Sequence, residues 1–338
     1  MRSLIHERAS FSSLKPNDRV LVGDKHYIVE RVAKGGMGCV LLLRLDTTLT
    51  PRTIDVLTTK IALKGVLPRA ADSAGLALFR RELTIWSGFQ HYNIVSLLEI
   101  LDGGHEGWIA AMDSYPGSLR DLLNKSGKFS IEDSTSIICN LLDGLAHAYE
   151  QDKVLHLDLK PENVLYTLDL ELAFDSVKEG YHSLKAQRFM ISDWGIASIK
   201  QTRLDPIADL PLTDPTAQRT FNNMGTLFYM APERFKKGTP STVASDVFSL
   251  GMIYLEMLVG RLPFRKEVHP VQSLLSRQYL DDSMVLTRAA QVPASIERQI
   301  LNMIAFFPSD RPTNYPALRA SLAKGLRRAT GIFTRLFR

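Results

Sequence analysis

The stretch Val154 to Leu165, VLHLDLKPENVL, most constrains what this chain can become. A short apolar run leads into His156, Asp158, Lys160 and Asn163, spaced by two, two and three residues. A carboxylate, an ammonium and an amide this close cannot all be buried without partners. Asp, Lys, Pro, Glu and Asn favour turns, so an ordinary surface loop would also explain the segment alone. The charged set equally suits a loop that presents itself to a charged ligand.

Each side chain has a definite chemical capacity. An aspartate can accept a hydroxyl proton, and a lysine can neutralise a developing phosphate charge. An asparagine oxygen can hold a hard cation such as Mg²⁺. These are the parts that phosphoryl transfer requires. The choice between loop and site therefore rests on what precedes and follows.

At 338 residues the chain is long enough for two lobes with separate cores. Its 45% hydrophobic and 23% charged content is ordinary for a globular protein, and a net charge of +5 does not by itself imply nucleic acid. Two cysteines, Cys39 and Cys139, exclude a disulfide framework and suit a reducing cytoplasm. No apolar run approaches the roughly 20 residues of a membrane helix. The best candidate, Val247 to Val259, is short and contains Glu256. The N-terminus carries charges where a signal peptide needs its apolar segment.

Upstream, Tyr27–Val32 has strand composition and runs into a glycine-rich turn. That turn holds Ala33, Gly35, Gly36 and Gly38, and Val40 opens a second strand. Glycine lets a backbone approach a phosphate closely, although most such clusters are plain hairpins. Lys60–Val66 reads as a strand carrying Ala62 and Lys64, where a lone lysine would be an edge residue. Residues 74–89 have helical periodicity and include Glu82. Trp108–Met112 reads as a strand, and Ile131–Gln151 as a long amphipathic helix. Downstream come Asp193-Trp194-Gly195, a polar hydroxyl-rich segment over residues 196–224, and the string Gly225 to Glu233, GTLFYMAPE. Asp246 then opens an apolar helix, and Asp310-Arg311-Pro312 follows.

In this order the motifs resemble those of eukaryotic-type serine/threonine protein kinases, in particular those of bacteria, over Tyr27 to about residue 320. The resemblance implies an α+β, bilobal protein-kinase-like fold. A small antiparallel sheet with one main helix would form the N-lobe over residues 24–112, and a larger helical C-lobe residues 116–323. Residues 1–23 would be a partly ordered extension, and 324–338 a basic tail. The implied activity is transfer of the ATP γ-phosphate to Ser or Thr of protein substrates, probable autophosphorylation included. The cofactors would be ATP and Mg²⁺, with Mn²⁺ as an alternative.

Residue by residue, the resemblance makes Asp158 the catalytic base, with Lys160 and Lys64 offsetting phosphate charge and Glu82 pairing with Lys64. Asn163 and Asp193 would hold metal. Ala33, Gly35, Gly36, Gly38, Val40, Ala62, Met112, Asp113 and Leu165 would surround the nucleotide. Thr226, Glu233 and Arg311 would form the substrate platform, and Asp246 would hold the backbone of the catalytic loop. The chain departs from the family pattern at Ala33, at Leu157, where an arginine is usual, and at Trp194, where phenylalanine is usual. Leu157 implies activity that does not depend strictly on phosphorylation of the activation segment.

The competing reading is a pseudokinase or scaffold that binds nucleotide without efficient transfer. The presence of Lys64, Glu82, Asp158, Lys160, Asn163 and Asp193 weighs against it. Leu168–Arg188 reads as a surface insertion. In the tail, Leu322, Leu326, Phe333 and Phe337 at helical spacing favour a last helix docked on the large lobe over a segment lying on an anionic membrane.

Overall fold

The structure, a computed structural model, describes residues 4–5, 11–34, 38–49, 59–66, 73–103, 107–168, 187–194, 225–236, 238–265 and 268–330. The chain divides into two units. One comprises Met1–Gln90, Val95–Tyr115 and Trp194–Ile196; the other comprises His91–Ile94, Pro116–Asp193 and Ala197–Arg338.

The first unit is built on an antiparallel sheet. Its strands are β1 (Leu4–Ile5), β2 (Arg19–Val22), β3 (Lys25–Lys34), β4 (Gly38–Leu45), β5 (Lys60–Val66), β6 (Leu97–Asp102) and β7 (Trp108–Asp113). They lie in the order β1-β2-β3-β4-β5-β7-β6. Helix α1 (Ser73–Ser87) accompanies the sheet. Side chains alternate across a strand, so register decides which residues share a face. Leu41 pairs with Leu63, and Leu43 with Ile61. These residues enter one buried cluster with Val29, Cys39 and Leu101. The intervening pairs, Val40 with Lys64 and Leu42 with Ala62, therefore occupy the opposite face. Ala62 also pairs with Met112, which joins that face.

The leader contributes far more than a weakly patterned extension would. Phe11, Leu14 and Val20 are buried in the same cluster as Leu41 and Leu63. Strand β2 pairs with β3 from Arg19↔Ile28 to Val22↔Lys25. Arg19 reaches Asp46 at 3.0 Å. A Cβ on Gly65 would lie 2.7 Å from the Phe11 ring, so this glycine is the hole into which Phe11 fits.

The second unit carries a small sheet, β10-β9-β8, formed by β8 (Gly117–Ser118), β9 (Val164–Leu168) and β10 (Gln187–Ile191). Its helices are α2 (Leu119–Ser126), α3 (Ile131–Asp152), α4 (Val243–Val259), α5 (Pro270–Leu275), α6 (Gln278–Ala289), α7 (Ala294–Met303) and α8 (Tyr315–Thr330). Local chemistry sets their ends. Ser118 and Asp121 form a capping box at α2, and Ser130 caps α3. Gly260, at φ 79°, ends α4. Val243 to Leu258 of α4 are all buried, so this helix is apolar on every side and forms the centre of the unit.

Helix α8 runs unbroken through the expected boundary at residues 323 and 324. Leu322 and Leu326 are buried, which is the docked arrangement for this part of the tail. Gly325 sits where a Cβ would meet the Gln299 side chain of α7 at 2.6 Å, so close helix packing requires it. Most of the Leu168–Arg188 insertion, the activation segment at 196–224 and residues 331–338 lie outside the described residues. Among the described residues no helix is long and apolar enough to cross a membrane. This division into a sheet unit with one helix and a mainly helical unit is the expected α+β, bilobal class.

Candidate active site

In the sheet unit, Lys64 approaches Glu82 with Nζ 3.7 Å from Oε1. Both side chains are almost fully buried, at 8% and 1% exposure. The ammonium also lies 6.0 Å from the centre of the Trp86 ring. Glu82 holds its place because α1 presents Phe79, Leu83 and Trp86 to the interior, and Trp86 donates its indole N–H to the Val95 carbonyl. Ala62 and Met112 are buried beside Lys64 on the shared face, with Val40 partly exposed there. Ala33 pairs with Val40 across the hairpin. Gly38 pairs with Val66, and Asp113 ends β7. Burial pushes the Asp113 carboxyl upward. Gly35 and Gly36 lie outside the described residues.

Trp194 is fully buried, edge-on to Phe89 with ring centroids 4.9 Å apart. Phe89 lies two residues beyond the end of α1.

In the helical unit, the catalytic loop is tied from several sides. Asp158 is 5% exposed, and its Oδ2 lies 3.2 Å from Lys160 Nζ. Asn163 donates from Nδ2 to the Asp158 carbonyl at 2.9 Å and to Asp158 Oδ2 at 3.2 Å. These donations fix the amide orientation and turn its oxygen away. An amide oxygen so placed, with the Asp193 carboxylate next to Ser192, which bonds the Asn163 carbonyl, is a hard donor set that fits a divalent cation. The Ser192 N–H and hydroxyl both donate to the Asn163 carbonyl, at 2.9 and 3.0 Å, so the segments that carry Asn163 and Asp193 are joined. Asp193 itself adopts φ 65°. Leu165 lies in β9, paired with Ser118 on one side and Met190 on the other.

His156, Asp246 and Leu157 supply the frame. Asp246 accepts the His156 N–H at 2.8 Å and the Leu157 N–H at 2.7 Å, as expected. Tyr315 donates to the same carboxylate at 3.1 Å. The His156 ring is fully buried, with Nε2 2.9 Å from the Ser192 carbonyl and Nδ1 accepting the Asp158 N–H at 3.3 Å. This pattern requires the neutral Nε2–H tautomer. Burial lowers the histidine pKa, against the pull of Asp246 and Asp158. Leu157 adopts φ 60°, a conformation that costs a branched residue about 1–3 kcal/mol and persists only where surroundings over-determine it.

The residues expected to form the substrate platform include a bonded network around Glu233. Arg311 grips Glu233 with two bonds of 2.9 Å. Its remaining donors reach the carbonyls of Ala244, Ala305 and Phe306. Ser245 donates to Glu233 Oε1 at 2.9 Å. Thr226 lies in the short 3₁₀ helix Gly225–Tyr229, and its side chain is outside the described residues.

Sequence reasoning missed a second network. Arg120 bonds Glu162 at 2.8 Å, Glu256 at 2.7 Å and the Tyr229 hydroxyl. Tyr229 in turn donates to Glu256. The available signal was Glu256, the acid within the Val247–Val259 run, which must have a partner when buried. Arg234, next to Glu233, was likewise missed. It donates from Nη1 to the Leu157 carbonyl.

Comparison with known proteins agrees with this geometry. The chain is 26% identical over 332 residues to the serine/threonine-protein kinase PknD of Chlamydia abortus, covering 89% of the chain and 31% of that protein. It is 26% identical over 294 residues to PrkC of Bacillus subtilis, with 86% and 39% covered. It is 23% identical over 304 residues to the probable serine/threonine-protein kinase PknB of Lactococcus lactis, with 90% and 42% covered. The chain thus spans about a third to two fifths of the length of these relatives. A family model described as a protein kinase domain matches residues 31–322, and with Lys64–Glu82, Asp158, Asn163 and Asp193 all inside that span, the chain belongs to the protein kinase domain family.

Proposed function

We propose that this chain is a serine/threonine protein kinase that transfers the γ-phosphate of MgATP to protein hydroxyls, its own included. The observation that carries this reading is the Asp158–Lys160–Asn163 constellation, in which an ammonium and an amide each lie 3.2 Å from the same carboxylate oxygen. Asp158 takes the position of the group that orients a Ser or Thr hydroxyl and accepts its proton. Lys160 Nζ lies 3.2 Å from that carboxylate and stands ready for phosphate charge. In the sheet unit Glu82 orients Lys64 toward phosphate, while Val40, Ala62 and Met112 offer an apolar face to a flat base. Asn163 and Asp193 are the residues to hold Mg²⁺, which when bound would neutralise the phosphate oxygens; Mn²⁺ would suit the same oxygen donors. Catalysis of this kind rests on positioning and electrostatics. The serine/threonine assignment follows the Lys160-Pro161-Glu162-Asn163 form, the Gly225–Glu233 string and the names of the relatives. We place the kinase domain at residues 24–323.

Leu157 leaves the position before the base without a cation, so the reading includes activity without obligatory phosphorylation of the activation segment. Phosphatase-treated protein that retains transfer supports this part; loss of transfer, restored on autophosphorylation, refutes it.

The test is transfer of labelled γ-phosphate from MgATP to the chain itself and to a generic protein substrate, followed by phosphoamino-acid analysis. Phosphoserine or phosphothreonine with the wild type, lost in Asp158→Asn and Asp193→Ala, is the expected result. A folded protein that binds MgATP yet transfers nothing overturns it.

A further inference from the structure

We propose that Arg234 is a positioning residue for Asp158, supplying from the segment after the Ala231-Pro232-Glu233 string the cation that the chain lacks at position 157. The inference rests on the reading of Asp158 as the base, and it concerns how that base is held.

The catalytic loop places a leucine in left-handed conformation immediately before Asp158. Such a conformation needs both neighbouring peptide groups to be held. Its N–H is held by Asp246 at 2.7 Å. Its carbonyl is held by Arg234 Nη1. That carbonyl belongs to the peptide whose nitrogen is Asp158's own. A rotation of the Leu157–Asp158 peptide would therefore break the arginine bond and swing the carboxylate together. The side chain of Leu157 is 5% exposed, so it contributes packing but no charge.

The arginine is placed for this task by what surrounds it. Its backbone follows Glu233, which is fixed by the two bonds from Arg311. Its own N–H donates to the Ala231 carbonyl at 3.0 Å. Burial lowers the Arg234 pKa, against the pull of the Asp246, Asp158 and Glu233 carboxylates, which all act on the guanidinium. Its Nη2 is shielded from solvent and makes no hydrogen bond among the described residues. A surface arginine serving solubility would have neither the buried nitrogen nor the carbonyl bond. The substrate platform and the catalytic loop are thus linked by one side chain, and a displacement of the platform is transmitted to the base.

The experiment compares the full chain as wild type, Arg234→Met and Arg234→Lys by two readouts. Hydrogen exchange is followed in peptides covering Val154–Leu165 and, as a control, in those of α3 and α4. Steady-state kinetics give kcat and the KM for ATP. Expected for Arg234→Met is faster exchange confined to Val154–Leu165, with kcat lower by on the order of 10²-fold, the cost of a small misplacement of a reacting group. The KM for ATP should stay within about threefold, since this side chain touches no residue read as nucleotide-binding. Arg234→Lys, which keeps the charge and loses the fork, should fall between. Unchanged exchange, a kcat within about threefold of wild type, or exchange raised equally in α3 and α4 would each overturn the proposal. If Arg234→Met does not fold, Arg234→Lys decides by the same readouts, and wild-type behaviour in it is the refuting result. If the wild type transfers no phosphate, the proposed function falls, while the exchange comparison still decides whether Arg234 holds the loop.

Discussion

Two buried ion pairs divide the labour in this molecule, and their geometry differs in kind. Glu233 and Arg311 meet through a fork of two 2.9 Å bonds, and the arginine's other donors reach three carbonyls. Lys64 Nζ and Glu82 Oε1 stand 3.7 Å apart, longer than a charge-assisted hydrogen bond. A saturated pair cannot take on another ligand without losing what it has. A pair at the longer distance can shift toward a phosphate at smaller cost. The difference teaches that burial alone does not assign a role to a charged pair: the length and number of its bonds must be read as well.

The comparison can be broken by measurement. Arg311→Met strands a buried carboxylate and should cost about 3–5 kcal/mol of unfolding free energy, read from chemical denaturation. Lys64→Met should instead lower kcat/KM by about 10²-fold, or ~2.7 kcal/mol in the barrier, and cost less than Arg311→Met in the same denaturation experiment, because a 3.7 Å approach is lost rather than a fork of two bonds. Equal destabilisation by the two substitutions would remove the distinction.

Gly65→Ala sharpens it from the opposite face of β5. An added methyl must displace Phe11, and we expect a loss of about 1–3 kcal/mol. Phe11→Ala in the same chain should relieve the clash, so the two changes should be non-additive in a double-mutant cycle. Additive losses would show that the leader does not press on this strand.

The smallest effect concerns pH. Burial depresses the His156 pKa, so the folded state binds fewer protons than the unfolded one below the ordinary histidine value of about 6.5. Its contribution is therefore present above that pH and is lost as pH falls toward the folded-state value. His156→Gln should flatten the fall in Tm below pH ~6.5 relative to wild type. An unchanged slope would mean that the other depressed histidines, His91 and His269, carry the dependence.

What could be read from the chain beforehand follows from range. The Val154–Leu165 loop, the α3 and α4 helices and the Glu233–Arg311 partners rest on short spacings, on apolar periodicity or on ordered motifs, and the structure bears out their geometry. The packing of the leader was not legible because its evidence is long-range. Phe11, Leu14 and Val20 have no regular period, and they become core only when β2 folds onto β3. A local signal existed in Gly23-Asp24 between two β-rich runs, with Gly23 at φ 65°. Arg120, Glu162, Tyr229 and Glu256 illustrate the same limit, since their network joins residues up to 136 apart in sequence. Gly325 would be read as a helix weakener, yet it permits the contact between α7 and α8.

Trp194 bears on a property of the whole ensemble. An indole buried to 0% exposure against Phe89 fills more volume than a phenyl ring would. Withdrawing it opens a correspondingly larger void, and voids are charged in proportion to their size. Any conformer with this aromatic swung out is accordingly rarer than in a chain with phenylalanine there, and a ligand that requires that conformer binds weaker by the same factor.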